Sequence, residues 1–352
     1  MKASYQRFRR HTASILGVVF LLSGLLKLVD PVGTMLIVTE YFKFMGLPSL
    51  IPVAKGVGIG VACLECFVAI GLITGVLRKA TATITYALLI VFTLLTLALW
   101  IKNPAMDCGC FGQAIHLTHA QSFWKNVVLL ALAVIAFTPF KDFGTSKKHR
   151  RVAAVVAALA IVLAAVYSNT HLPVVDFTPY NWGAQLFASL DESAEESDFR
   201  RAPILSFSDT AGVYCDELAA TGRVVVFSVY DAKKADWAHL EPQYRQAQAS
   251  QAQPLLLVSA TPAEMASYPI PADIEPYFSD YKTLITLNRS NGGGTYFYHG
   301  ELVHKWSAGH FPEDIQVAVS EDPVVLSTRH VTRRRLLAQG YCVGLLAVLL
   351  LL

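Results

Sequence analysis

The sequence predicts a multi-pass α-helical membrane bundle joined to an α/β domain outside the bilayer. Three observations predict it. The 352 residues are 54% hydrophobic and only 16% charged, whereas soluble globular chains carry about 25% charged residues. Five apolar stretches of near-spanning length fall before residue 170. After it, short β-rich runs alternate with helical patterns. Composition also argues against a water-soluble enzyme and against disorder, because the apolar fraction is too high. Six cysteines in 352 residues are too sparse for a disulfide-dense scaffold.

Net charge is +3, but it is an average over parts of opposite sign. Residues 1–169 carry 16 Lys/Arg against 5 Asp/Glu, a net of +11. Residues 170–328 carry 9 against 21, a net of −12, and residues 329–352 add four arginines and no acid. The positive charges flank apolar spans, so a nucleic-acid-binding stripe is not suggested.

The five spans read as Ala13–Val29, Ile51–Leu77, Ala80–Ile101, Ser122–Phe140 and Val152–Tyr167, each near the roughly 20 residues that cross a bilayer. Thr34–Leu47 is interrupted by Glu40, Lys43 and Gly46 and reads as interfacial or re-entrant. A last apolar run, Leu336–Leu352, is a candidate sixth span. The basic start lacks a small-residue cleavage site before Asp30-Pro31, so it reads as an uncleaved first helix. Basic residues cluster at Lys2/Arg7/Arg9/Arg10, Arg78/Lys79 and Lys141/Lys147/Lys148/Arg150/Arg151, with few in the alternate loops (Lys43, Lys55, Lys102). By the positive-inside rule the N-terminus is cytoplasmic and residues 171–328 lie in a periplasm-like compartment. Arg329 and Arg333–Arg335 run against this pattern. The predicted organisation is a four-span membrane domain (1–145), a fifth span (146–170), an external domain (171–328) and a hydrophobic tail (329–352).

In the external domain, Arg223–Tyr230 and Pro254–Ala260 are β-branched, aromatic or aliphatic runs that read as buried strands. Trp237–Ala249 has helical amphipathicity, and Thr261 with Glu264 forms a capping-box pattern. Gly294–Tyr298 and Glu301–Ser307 flank His299-Gly300 as a hairpin. This order is that of a thioredoxin-like fold, preceded by an extra hairpin over Pro203–Leu218. Yet the segment after the first strand, Tyr230–Trp237, holds no cysteine pair. Gly292–Gly294 stands where such enzymes place a proline, and Cys215 and Cys342 have no neighbouring partner. The domain therefore reads as a binding module.

Chemistry concentrates elsewhere. Asp107-Cys108-Gly109-Cys110-Phe111-Gly112 lies in the outer loop between spans three and four. Two cysteines one residue apart close only a small, strained disulfide, the reducible kind suited to exchange. Structural loop cysteines are the competing reading. A metal set of Cys108, Cys110, His116 and His119 is a weaker one, because the spacing matches no closed zinc pattern. Cys63 and Cys66 lie at i and i+3 inside span two. Their depth suits core packing, or exchange with a lipid-soluble quinone or a dipping loop. Glu65 is an ionisable residue in mid-span, a functional candidate by default.

Three stretches resemble the DoxX-like/MauE-like bacterial membrane proteins: Ser23-Gly24-Leu25-Leu26-Lys27-Leu28-Val29-Asp30-Pro31, Glu65 followed by Gly71, Leu72 and Gly75, and Cys108-Gly109-Cys110-Phe111-Gly112 followed by Trp124, Lys125, Asn126 and Leu129. The resemblance covers residues 14–140, and the whole chain is similar to a Bacteroidetes-type architecture with a C-terminal thioredoxin-like domain. It implies a four-helix core in the inner membrane and a link to methylamine utilisation and to maturation of a disulfide-rich dehydrogenase. The expectation is an inner-membrane protein supporting periplasmic thiol–disulfide exchange or protein maturation. The lipid bilayer and a periplasmic client or redox protein are its expected partners, and a quinone is the candidate cofactor, though the sequence requires none. The rivals are a non-enzymatic scaffold or binding module and a metal-handling protein.

Overall fold

The computed structural model describes residues 2–138, 148–186, 203–312 and 322–351. The expected span end at Phe140, the 145/146 boundary and the topogenic Lys141 and Lys147 lie outside these residues. The chain divides into two compact units, Met1–Val175 with Leu337–Leu352, and Asp176–Leu336.

In the first unit the helices are α1 (Lys2–Val29), α2 (Pro31–Phe44), α3 (Ala54–Thr74), α4 (Arg78–Lys102), α5 (His119–Phe137) and α6 (Lys148–Thr170). Five segments are long and apolar enough to cross a membrane: Ser4–Val29, Pro48–Thr74, Arg78–Lys102, His119–Phe137 and Lys148–Thr170. They match the five expected spans in order. Most of the Thr34–Leu47 stretch lies in helix α2, which is not among these five segments. Asp30 caps it, its Oδ1 accepting from Gly33 N at 2.8 Å, and Pro31 at the first position pre-sets φ. Glu40 and Lys43 do not interrupt it, because they pair with each other at 2.9 Å on its surface. Gly46, at φ 71°, lies just beyond its end.

α1 packs along α3 through small residues. A Cβ on Gly24 would stand 2.5 Å from Cys66 Sγ and 2.7 Å from the Ala62 carbonyl. Gly17 is equally tight against Ile73. In lipid no hydrophobic drive pulls helices together, so close backbone approach supplies the dispersion contact. Polar bonds link α4 to α5: Asn126 Nδ2 donates to Thr96 Oγ1 at 3.2 Å, and the Tyr86 hydroxyl to the Ala133 carbonyl at 3.1 Å. The chain ends in α10 (Pro323–Leu351), and the Tyr341 hydroxyl donates to the Ala160 carbonyl of α6 at 2.8 Å. Within α10 the described apolar stretch is Leu336–Val348.

The second unit is an α/β domain. Its strands are β2 (Arg223–Val229), β3 (Gln253–Val258), β4 (Pro276–Phe278), β5 (Gly293–Tyr298) and β6 (Glu301–Lys305). Its helices are α7 (Trp237–Ala249), α8 (Pro262–Met265) and α9 (Tyr281–Leu287). The sheet order is β4-β3-β2-β5-β6. β3 runs parallel to β2 and β4, while β5 is antiparallel to β2 and β6. β2 is central, so it buries both faces. Val225, Phe227 and Val229 enter the core under α7, and Val224 and Val226 the core under α9, which explains the apolar run Val224–Phe227. The His299-Gly300 turn has φ of 48° and 77°, the two left-handed residues a tight hairpin needs. The Thr261–Glu264 capping box forms as expected. The expected hairpin over 203–218 is reduced to single bridges, Ser208 with Tyr214 and with Phe278. Its second arm becomes a 3₁₀ turn at Asp216–Ala219, because Asp216 Oδ1 turns back to accept from Phe207 N at 2.9 Å. β4 and α9 were not anticipated.

Gly24→Val should destabilise the bundle by about 1–3 kcal/mol through overpacking. Gly60→Ala, with open space at its Cβ position, should be neutral or stabilising. Thermal unfolding in detergent compares the two, and equal effects would contradict the tight α1–α3 seam.

Candidate functional site

The Cys108–Cys110 loop is held by charges inside the bundle. Late in α1, Lys27 reaches across to Glu65 of α3, with Nζ 2.8 Å from Oε2 and 3.0 Å from Oε1. Both side chains are nearly sealed, at 10% and 2% exposure. Ser23, one turn before Lys27, donates to Glu65 Oε2 at 2.9 Å and accepts from Lys27 Nζ at 2.7 Å. The remaining capacity goes to one backbone atom. The Cys110 carbonyl accepts from Lys27 Nζ and lies within hydrogen-bond distance of Ser23 Oγ, each at 2.7 Å.

The loop leaves α4 and returns as the short strand β1 (Cys110–Gln113) before α5. Gly109 and Gly112 have φ of 64° and 61°, and a Cβ on Gly109 would run into Ile37 of α2. The loop is thus pressed onto α2, whose Tyr41 hydroxyl donates to the Cys108 carbonyl. The two sulfurs stand 3.1 Å apart, within hydrogen-bonding contact and unbonded. Cys108 is buried and Cys110 only partly so.

That geometry splits the two thiols. The hydrogen bond from the Cys108 thiol pulls the pKa of Cys110 below the ordinary thiol range, against the opposing effect of burial and helped by the charges of Lys125 and Lys27. The Lys125 ammonium sits over the Phe111 ring at 5.0 Å. Cys108 is pushed well up by the same hydrogen bond and by burial. The pair therefore loses its first proton readily and its second with difficulty, as coupled acids do. A part-exposed sulfur acidified by a proton-holding neighbour is an arrangement that suits thiol chemistry.

The other expected residues divide. Glu65 joins this site through Lys27. Cys66 is buried against Gly24, and Cys63 is partly buried in the same helix. Among the described residues no hydrogen bond or sulfur contact joins either to Cys108 or Cys110. His116 pairs with Asp107 at 3.2 Å, and His119 Nε2 contacts the Pro104 carbonyl at 3.1 Å. No group of three His, Cys, Asp or Glu positioned to hold a metal ion occurs among the described residues. Lys27, Ser23, Tyr41 and Lys125 had been given no role from sequence. A cation and an anion in neighbouring spans were the signal for the first, since neither survives unpaired in lipid.

In the α/β domain, Asn291 closes the loop after β2. Its Oδ1 accepts from Asp231 N at 3.0 Å, and its Nδ2 donates to the Asp231 carbonyl at 2.8 Å. Gly293 is required beside it, because a Cβ would lie 2.7 Å from both Asn288 Oδ1 and the Trp306 carbonyl.

Bundle, buried ion pair and thiol loop define a multi-pass membrane protein with a dithiol site at one end of its helices. Residues 6–139 match the family model described as Methylamine utilisation protein MauE, so the membrane part of the chain is similar to that family. No curated protein and no solved structure matches the chain.

Lys27→Met or Glu65→Leu alone should cost about 3–5 kcal/mol by stranding a buried charge. The double variant should recover most of that loss in detergent unfolding. Additive losses would mean that the two residues do not act as a pair.

Proposed function

We propose that the protein is an inner-membrane thiol–disulfide exchange protein whose reactive pair is Cys108 and Cys110. The N-terminus is cytoplasmic, the loop and residues 171–328 are periplasmic, and the role is in maturing disulfide-bearing proteins. The observation that carries this reading is the 3.1 Å separation of two sulfurs on a loop pinned by Lys27, with their acidities driven apart.

The Cys110 thiolate attacks one sulfur of a client disulfide. An S–S bond forms to Cys110, and the other client sulfur leaves as a thiolate and takes a proton. Cys108 then loses its proton and attacks Cys110 Sγ, releasing the second client thiol. One turnover reduces the client disulfide to two thiols and oxidises the Cys108–Cys110 dithiol to a disulfide. A dithiol-bearing redox protein restores the pair. Run backwards, the same steps oxidise a client dithiol, with a lipid-soluble quinone as electron acceptor. Lys27 and Tyr41 hold the backbone carbonyls of the two cysteines, and Lys125 favours the thiolate.

The α/β domain serves as a thioredoxin-like docking module for the client or redox partner. Its strand order and mixed directions support that reading. Its would-be active loop, tied by Asn291 and free of cysteine, supports binding rather than exchange.

Alkylation of Cys110 in the full chain should follow a pH profile with its inflection below the ordinary thiol range, because the hydrogen bond from Cys108 favours the thiolate. The thiolate is present above that pH and lost below it. Cys108→Ala and Lys125→Met should move the inflection upward, towards the ordinary thiol range. With an aromatic disulfide reagent, Cys108→Ala should stop at a stable mixed disulfide. Cys110→Ala should react roughly tenfold slower or worse. Thiols that stay unreactive until alkaline pH, or equal behaviour of the two variants, would sink the exchange reading.

A further inference from the structure

At the other end of α1 from Lys27 lies a cavity of about 410 Å³ with Arg7, Arg9, Arg10 and Arg78 in its wall. The first three come from the opening turns of α1 and the fourth from the first residue of α4. Arg150 of α6 lies close enough to repel both Arg10 and Arg78. Among the described residues no acidic side chain lines the cavity. The described carboxylates of this unit are engaged elsewhere: Asp30 caps α2, Glu40 pairs with Lys43, Glu65 with Lys27, and Asp107 with His116. Neither Arg10 nor Arg78 makes a hydrogen bond or ion pair among the described residues. Arg9 is only 8% exposed, with its Nε fixed on the Ala136 carbonyl at 3.1 Å.

The positive-inside rule accounts for basic residues at a span end. It does not require four of them to share one cavity with a guanidinium buried in its wall, since like charges repel at that range. Such an arrangement is stable when an anion completes it. Two features narrow the anion. The N-terminus of α4 has no side-chain cap among the described residues, so its partial positive charge adds to that of the arginines. The lining includes Ala13, Leu72, Ile73 and Phe137. Tyr5, Phe8 and Ile15 on the same stretch of α1 are all half exposed, as lipid-facing side chains are.

We propose that this cavity binds the phosphate group of an anionic phospholipid. Guanidinium groups bind the phosphate oxygens in bidentate fashion, and the apolar wall takes the start of the acyl chains. Basic pockets between membrane helices are a known form of headgroup site.

The full chain can be reconstituted in phosphatidylcholine, alone or mixed with phosphatidylglycerol, and its unfolding temperature measured. The anionic lipid should raise it by about 3 °C or more. Arg10→Gln/Arg78→Gln should abolish the increment while leaving the Cys110 alkylation rate unchanged, which shows that the bundle is folded. Ala13→Leu keeps every charge but fills the cavity, and it should abolish the increment too. In detergent, inorganic phosphate is the second arm. Stabilisation by phosphate but not by the lipid, removed by the same substitutions, supports phosphate recognition and assigns the site to a soluble anion. An increment that survives in both variants, or no increment from either source, overturns the proposal.

Discussion

The pairing of Lys27 with Glu65 constrains the membrane unit more than any other contact. Each charge alone would have to leave the bilayer, change protonation or draw water in. Together, with Ser23 adding a second donor to Glu65 Oε2, they are tolerated, and the tolerance depends on position. The 2.7–3.0 Å contacts exist only if α1 and α3 keep one register and lie close. Glycine at position 24, packed onto Ala62 and Cys66, makes that closeness possible. The small-residue seam and the ion pair are therefore one design: the seam sets the distance and the pair sets the register.

The loop inherits its conformation from this design. Lys27 has donors beyond those Glu65 needs, and one goes to the Cys110 carbonyl. α2 secures the other side, its Tyr41 bonding the Cys108 carbonyl and its Ile37 excluding any Cβ at position 109. Two carbonyls fixed from two helices leave the sulfurs facing each other. Their unequal acidity then follows from unequal surroundings. The hydrogen bond between them favours one thiolate, and Lys125 and Lys27 lie on the side of Cys110.

Legibility from sequence followed the scale of the signal. The five spans and the two-sided strand Arg223–Val229 stood out because burial imposes long apolar runs. The His299-Gly300 turn stood out because few residues tolerate its backbone. Pro276–Phe278 escaped notice: three residues with a proline carry no periodicity, and this strand exists only because β3 offers an edge. α9 escaped for a similar reason, as a seven-residue helix whose Asp280 cap was the only local sign. Glu65 was recognised as significant, but its partner was not, since Lys27 lies near a span end where a lysine can reach the interface. What joins Glu65 to Cys110 is separated by dozens of residues and is visible only in three dimensions.

The two ends of α1 treat charge in opposite ways, and the +11 excess of the membrane segment conceals the difference. At the thiol end every described carboxylate has a partner, and Lys27 and Lys125 act on the Cys110 sulfur. At the other end Arg10 and Arg78 have no partner among the described residues, and Arg9 is committed to a carbonyl inside the wall. Topology alone would be served by exposed, hydrated arginines. Burying one and gathering others around a cavity adds electrostatic cost without improving orientation. That cost makes sense where a negative group completes the site, and at a bilayer surface the phosphates of the lipids are the abundant source of one.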